Sequence, residues 1–160
     1  MRKDIEKLVL KSNISELNKI VSFVENIADK YYLNDSYFAN IMVALTEAFN
    51  NALKHGNKND ESKKIIIEFY ISNSEMIFDV SDEGSGFDFQ SFLKTKHDLN
   101  QRGIDLIYHV SDKVAFSNNG SKISISFNMA AIDSDISKKR IEAMNLAKSK
   151  AFLKNENIGS

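Results

Sequence analysis

Between residues 17 and 31 apolar side chains recur every third or fourth position, on Leu17, Ile20, Val21, Val24, Ile27, Ala28 and Tyr31. That is the stripe of a helix burying one face, with Asn13 or Ser15 placed to cap it. A second helix opens at Asn34-Asp35-Ser36 and carries its stripe on Phe38, Ile41, Met42, Leu45, Phe49 and Ala52. His55-Gly56-Asn57 predicts its end, and Gly56 suits a left-handed cap. Residues 6–11 read as a short first strand. Residues 64–71 and 76–80 are rich in β-branched and aromatic side chains, and Asn73-Ser74 between them predicts a hairpin. From 82 to 101 the chain is polar and glycine-bearing with little period, a loop or lid. Residues 103–110 then predict a short helix. Residues 114–117 and 122–127 form a second hairpin around Asn119-Gly120, a type I′ signal. Alternation of Ile123, Ile125 and Phe127 puts one face of the last strand into a core. Helices on one face of a mostly antiparallel sheet make an α+β two-layer sandwich.

Composition changes that picture little. At 160 residues the chain fits one domain, and folding at this size buries roughly 70% of the unfolded surface. A formal charge of −1 gives no general pull toward nucleic acid or an anionic membrane. Any anionic ligand must therefore be held by local geometry. There is no cysteine, which excludes disulfides and thiolate zinc sites, and no proline. No apolar run approaches the ~20 residues of a membrane span. The expected location is the cytoplasm.

Two clusters carry candidate chemistry: Glu47-Ala-Phe-Asn-Asn51-Ala-Leu-Lys54-His55-Gly56-Asn57 and Asp82-Glu83-Gly84-Ser85-Gly86-Phe87-Asp88. On a helix Glu47 and Asn51 are one turn apart and roughly opposite the apolar stripe. Asn51 can offer an oxygen to Mg²⁺, and Glu47 can orient or deprotonate an attacking hydroxyl. A solvated helix face explains the same pair more blandly. Asp82, at a strand end before Gly-x-Gly, can accept from an exocyclic amine while the loop passes close to a ligand. The bland alternative is an Asp-Gly surface turn. Arg102-Gly103-Ile104 at a helix start offers backbone amides and a cation to phosphate. Lys54 could reach a phosphate, although a lone lysine late in a helix more often faces water. His55 belongs with the helix stop, and Gly120-Ser121 is explained by the hairpin.

The first cluster resembles the N-box of the GHKL ATPases, the Bergerat ATP-binding fold, and Asp82-Glu-Gly-Ser-Gly-Phe-Asp resembles their first glycine box. Arg102-Gly103-Ile104 stands in the place of the second box and Gly120-Ser121 in that of the third, over about residues 5–130. The short lid and the lack of a phosphoacceptor-helix domain are most similar to the anti-sigma factor serine/threonine kinases. The resemblance implies Glu47 as general base, Asn51 as magnesium ligand and Asp82 as the carboxylate that reads adenine. Gly84, Gly86 and Gly103 would shape the nucleotide loop, with Lys54, Arg102, Ile104 and Ser121 beside the bound ATP. It also implies an acceptor serine or threonine on an anti-anti-sigma partner of the STAS type, a sigma factor as second partner, and a homodimer.

Two features depart from the family pattern. Gln101 stands where the second box usually has its first glycine, and Asp105 where members tend to be uncharged. A carboxylate 4 Å from a phosphate oxygen would cost about 4 kcal/mol at an effective dielectric of 20. Asp105 must turn away, pair with Arg102, or weaken the nucleotide. These features favour the alternative of a nucleotide-gated regulator-binding module without kinase activity. The tail departs as well. Residues 1–131 read as the ATP-binding domain, and 132–160 as a helical extension with a disordered end. Ser134 or Asp135 could cap it, and Ile136, Ile141, Met144, Ala147 and Ala151 would share one side.

Overall fold

Alternating burial along three strands sets the layer that carries everything else. The computed structural model describes residues 4–86 and 101–156, with all their side chains except those of 101, 102, 131–139, 155 and 156. The chain forms two units, Met1–Asn128 and Met129–Ser160. In the first, strands β1 (Glu6–Lys11), β2 (Lys64–Ser72), β3 (Glu75–Asp82), β4 (Lys113–Ser117) and β5 (Lys122–Asn128) make one sheet. Its order is β1-β2-β3-β5-β4, and every neighbouring pair is antiparallel. Ile65, Ile67 and Phe69 of β2, Met76, Phe78 and Val80 of β3, and Ile123, Ile125 and Phe127 of β5 point into the core.

Helices α1 (Leu17–Tyr31), α2 (Asp35–Asn51) and α3 (Gln101–Val110) supply the other layer. Their stripes close on the sheet through Ile20, Val24 and Ile27 of α1, Ile41, Leu45 and Phe49 of α2, and Ile104 and Ile107 of α3. Aromatic contacts form a chain, with ring centroids 5.7 Å apart for Tyr31–Phe69, 4.9 Å for Phe69–Phe78 and 6.0 Å for Phe78–Phe127. Each such pair contributes about 0.5–1.5 kcal/mol beyond burial. Asn34 caps α2, its side chain accepting from Tyr37 N–H at 2.9 Å. Asn13 caps the 3₁₀ turn that leads into α1, accepting from Ser15 N–H.

The end of α2 and the β4–β5 turn differ from what the sequence predicts, while the β2–β3 hairpin follows it. The α2 helix stops at Asn51 and continues as one π-helical turn, Ala52–Gly56. Gly56 keeps an ordinary φ, and the left-handed positions fall later, at Lys58 (φ 53°) and Asn59 (φ 59°). So Gly56 is not needed as a left-handed cap. The β2–β3 turn has Asn73 and Ser74 at φ 51° and 60°, as a type I′ turn requires. The β4–β5 connection is longer: Ser117 pairs with Lys122, and Asn118, Asn119 and Gly120 in between all have positive φ.

The second unit contains α4 (Ala130–Glu156), which begins before the expected cap at Ser134 or Asp135. Leu146 and Leu153 fall across the helix from Ile141 and Met144 at 100° per residue, and all four are exposed. Its apolar residues therefore do not form one stripe. Among the described residues no helix is long and apolar enough to cross a membrane.

Candidate functional site

Where α2 ends, the chain has placed three things together: the π-turn, the end of β3 and the start of β5. Antiparallel pairing of β3 with β5 sets Asp82 beside Ser121, and Asp82 N–H donates to the Ser121 carbonyl at 2.9 Å. A narrow cleft opens there, lined by Ala48, Asn51 and Ala52 on one side and Val80, Asp82, Phe116, Gly120, Ser121 and Ile123 on the other. The depression measures ≈ 310 Å³ and is open to solvent.

Glu47 and Asn51 leave α2 to one side of its core-facing stripe. A Cβ placed on Gly103 would lie 2.6 Å from Glu47 Oε2 and 3.8 Å from Asn51 Oδ1. Both side chains therefore converge on the first turn of α3. The amides of a first turn have no partner inside their helix and carry partial positive charge. Gly103 allows this approach because it has no side chain. Ala44 and Ala48, small and fully buried, sit on the α2 flank between the sheet stripe and Glu47. A carboxylate, a carboxamide and a helix N-terminus at one place can hold an anion and its counter-cation.

The acidic turn is clamped by close contacts. Asp82 Oδ1 accepts from Gly84 N–H at 2.8 Å. A Cβ on Gly56 would fall 2.3 Å from Asp82 Cγ, so the carboxylate rests against bare backbone. One on Gly84 would fall 2.2 Å from the Gly56 carbonyl oxygen. Gly86, at φ +85°, would strike Asn119 O at 2.0 Å if substituted. The π-turn and the loop before β5 thus hold the turn from both sides. Gly56 is required for this contact with Asp82, a reason that no local pattern carries.

Burial pushes the Asp82 carboxyl above its ordinary value of 3.8, and the Gly84 N–H bond and the nearby Lys63 offset part of the rise. Because the folded value is raised, the unfolded chain ionises first as pH increases, and ionisation removes stability. Asp82→Asn is therefore expected to stabilise the ligand-free protein at neutral pH. The gain disappears below the unfolded carboxyl's pKa, where aspartate is neutral in both states. Thermal melts of both proteins across the acid range check this, and a midpoint difference independent of pH contradicts it.

The other predicted site residues are distributed unevenly. Ser121 lines the cleft with Asn51 and Asp82. Lys54 and His55 are exposed on the π-turn. Ile104 is 2% exposed, so its side chain belongs to the core and only its backbone could meet a ligand. The side chains of Gln101 and Arg102, and the loop or lid over residues 87–100, lie outside the described residues. Asp105 is exposed. At 100° per residue it stands about 200° around α3 from Gly103, on the side away from Glu47. The apolar walls, Ala48, Ala52, Val80, Phe116 and Ile123, were not legible as site residues. Their only sequence signal is the small residues interleaved with Glu47 and Asn51.

Comparison with known proteins bears on the family and the fold. A family model described as the histidine kinase-like ATPase domain matches residues 10–127. A serine-protein kinase RsbW from Listeria innocua serovar 6a is 28% identical over 68 residues, covering 42% of this chain and 43% of that protein. A crystal structure of the RsbU and RsbW domains of a Mycobacterium tuberculosis protein superposes with a TM-score of 0.56 at 15% identity. That match covers 78% of this chain and 32% of the other, and shows a shared fold.

Proposed function

The chain belongs to the histidine kinase-like ATPase family, and from that premise we propose that it is an anti-sigma regulator that phosphorylates a protein hydroxyl with ATP. The acceptor is a serine or threonine of an anti-anti-sigma partner, and the regulated partner is a sigma factor. One observation carries the reading. Glu47 and Asn51 converge on the first turn of α3 while Asn51 and Asp82 line the same cleft. Asn51 thus connects a base-reading end at Asp82 to a phosphate end at Gly103.

The residues fit Mg²⁺ as a guest of the nucleotide. Among the described residues no group of three or more His, Cys, Asp or Glu could hold a metal. Asn51 would hold the ion through its side-chain oxygen, and the ion would supply neutralisation of phosphate charge. The protein's own contributions are positional. Asp82 accepts from the exocyclic amine of adenine. The α3 N-terminus faces the phosphates, and Glu47 takes the proton of the attacking hydroxyl. The new bond joins that oxygen to the γ-phosphorus, the bond from the γ-phosphorus to the bridging oxygen breaks, and ADP leaves with the electron pair.

Asp82→Asn should weaken ATP binding by about 1–3 kcal/mol, the scale of a hydrogen bond to a charged group. Calorimetric titration showing unchanged affinity would remove the adenine role. The competing reading, a nucleotide-gated binding module without transfer, is favoured by Gln101 at the first position of the second glycine box. Incubation with γ-labelled ATP and candidate acceptors separates the two. A kinase leaves acid-stable label on the partner, and a gated module leaves none.

A further inference from the structure

The strand that delivers Asp82 ends abruptly, and the side chain of Asn57 is what allows it to. In register, Ile65 of β2 faces Asp82, so Lys64 would face residue 83. The backbone has already turned away at that point. Side chains take over the missing ladder bonds: Lys64 N–H donates to Glu83 Oε2 at 2.5 Å, and the Lys64 carbonyl accepts from Asn57 Nδ2 at 3.0 Å. The other end of the same amide, Asn57 Oδ1, accepts from Glu83 N–H at 2.9 Å. Its second donor hydrogen goes to Ser12 Oγ at 2.8 Å, and that hydroxyl donates to the Lys63 carbonyl at 2.7 Å. Asn57 is 0% exposed and Ser12 2% exposed, and the network is fully satisfied.

We propose that Asn57 is a positioning residue for the base-reading carboxylate, an inference that rests on the nucleotide reading of the cleft. Glu83 N–H belongs to the peptide that follows Asp82, so holding it fixes the plane of that peptide and hence the backbone direction of Asp82. The Gly84 N–H to Asp82 Oδ1 bond then fixes the side chain. Neither bond alone determines where the carboxylate points. The chemistry at position 57 is specific, because one end must accept and the other must donate twice. An amide does both. A leucine of similar size would strand the Glu83 donor and the Lys64 acceptor inside the protein.

The test compares ATP with inosine triphosphate, whose purine carries a carbonyl where adenine carries its amine. The intact protein should prefer ATP by about tenfold or more, the value of a charge-assisted hydrogen bond. Asn57→Ala should lose most of that preference while its affinity for inosine triphosphate stays within about threefold, since global loosening would weaken both ligands alike. Asn57→Asp keeps the acceptor for Glu83 N–H but loses both donations, so it should recover the preference only in part. Ser12→Ala, which removes a partner of Asn57 without touching the acidic turn, should retain it. Hydrogen exchange without nucleotide gives an independent reading: the Glu83 and Gly84 amides should exchange faster in Asn57→Ala while the β2–β3 ladder stays protected. Should Asn57→Ala not fold, Asn57→Ser carries the same comparisons. An Asn57→Ala protein with the wild-type ATP preference, or with unchanged Gly84 exchange, overturns the proposal. If the intact protein itself fails to prefer ATP but Gly84 exchange responds to Asn57, the adenine role of Asp82 is what has failed.

Discussion

Glu47→Ala is expected to slow phosphoryl transfer by about 10²–10⁴-fold, the usual contribution of a positioned general base. Binding of ATP should change far less, because Glu47 faces the first turn of α3 while the adenine end of the cleft is built on Asp82. Glu47→Gln separates two roles. Glutamine keeps the shape and can orient a hydroxyl, but it cannot take the proton. Transfer lost in both variants assigns proton removal to Glu47, and transfer kept in glutamine assigns orientation. Single-turnover assays with a phosphorylated partner as product distinguish these outcomes. Full activity in Glu47→Ala removes Glu47 from the reaction.

Gly84→Ala should damage both the fold and the nucleotide site. Its Cβ would fall 2.2 Å from the Gly56 carbonyl oxygen and 2.9 Å from Asp82 Oδ1. Backbone on both sides must shift, since the carbonyl belongs to the π-turn that also abuts the Asp82 carboxylate. Overpacking of this kind costs about 1–3 kcal/mol of stability. The nucleotide should lose more than the fold does, because the shift displaces the carboxylate relative to Asn51. Gly103→Ala is the instructive contrast. Its Cβ meets the end of the Glu47 side chain, which can swing aside, so folding should persist while transfer falls. Denaturant melts with parallel ATP titrations test the pair. Equal tolerance at both positions contradicts the clamp.

The strands and the first helices were legible because their burial has a simple period. Ile123, Ile125 and Phe127 alternate, Leu17 to Tyr31 follows a helical stripe, and both patterns appear in the folded chain. The meeting of Asn51 with Asp82 was partly legible from residue types at helix and strand ends. What held them there was not. The π-turn that follows α2 has no periodic signature, and it brings Gly56 against Asp82. Asn57 looked like part of a helix stop, yet its bonds join Ser12, Lys64 and Glu83, up to 45 positions away in sequence. The cleft walls escaped notice because Val80 and Ile123 follow the same alternation as core residues. In the tail, Ile141, Met144, Ala147 and Ala151 share one side of α4 as the spacing expects, and Leu146 and Leu153 fall on the other.

A structure with a non-hydrolysable ATP analogue and Mg²⁺ tests most directly whether one cleft joins Asp82, Asn51 and Gly103. The purine should lie against Val80 and Ile123 with its amine on the Asp82 carboxylate. The phosphates should run past Asn51, with Mg²⁺ on its side-chain oxygen, to the first turn of α3. A nucleotide bound elsewhere, or seated with its base away from Asp82 and its phosphates away from Asn51, contradicts the account.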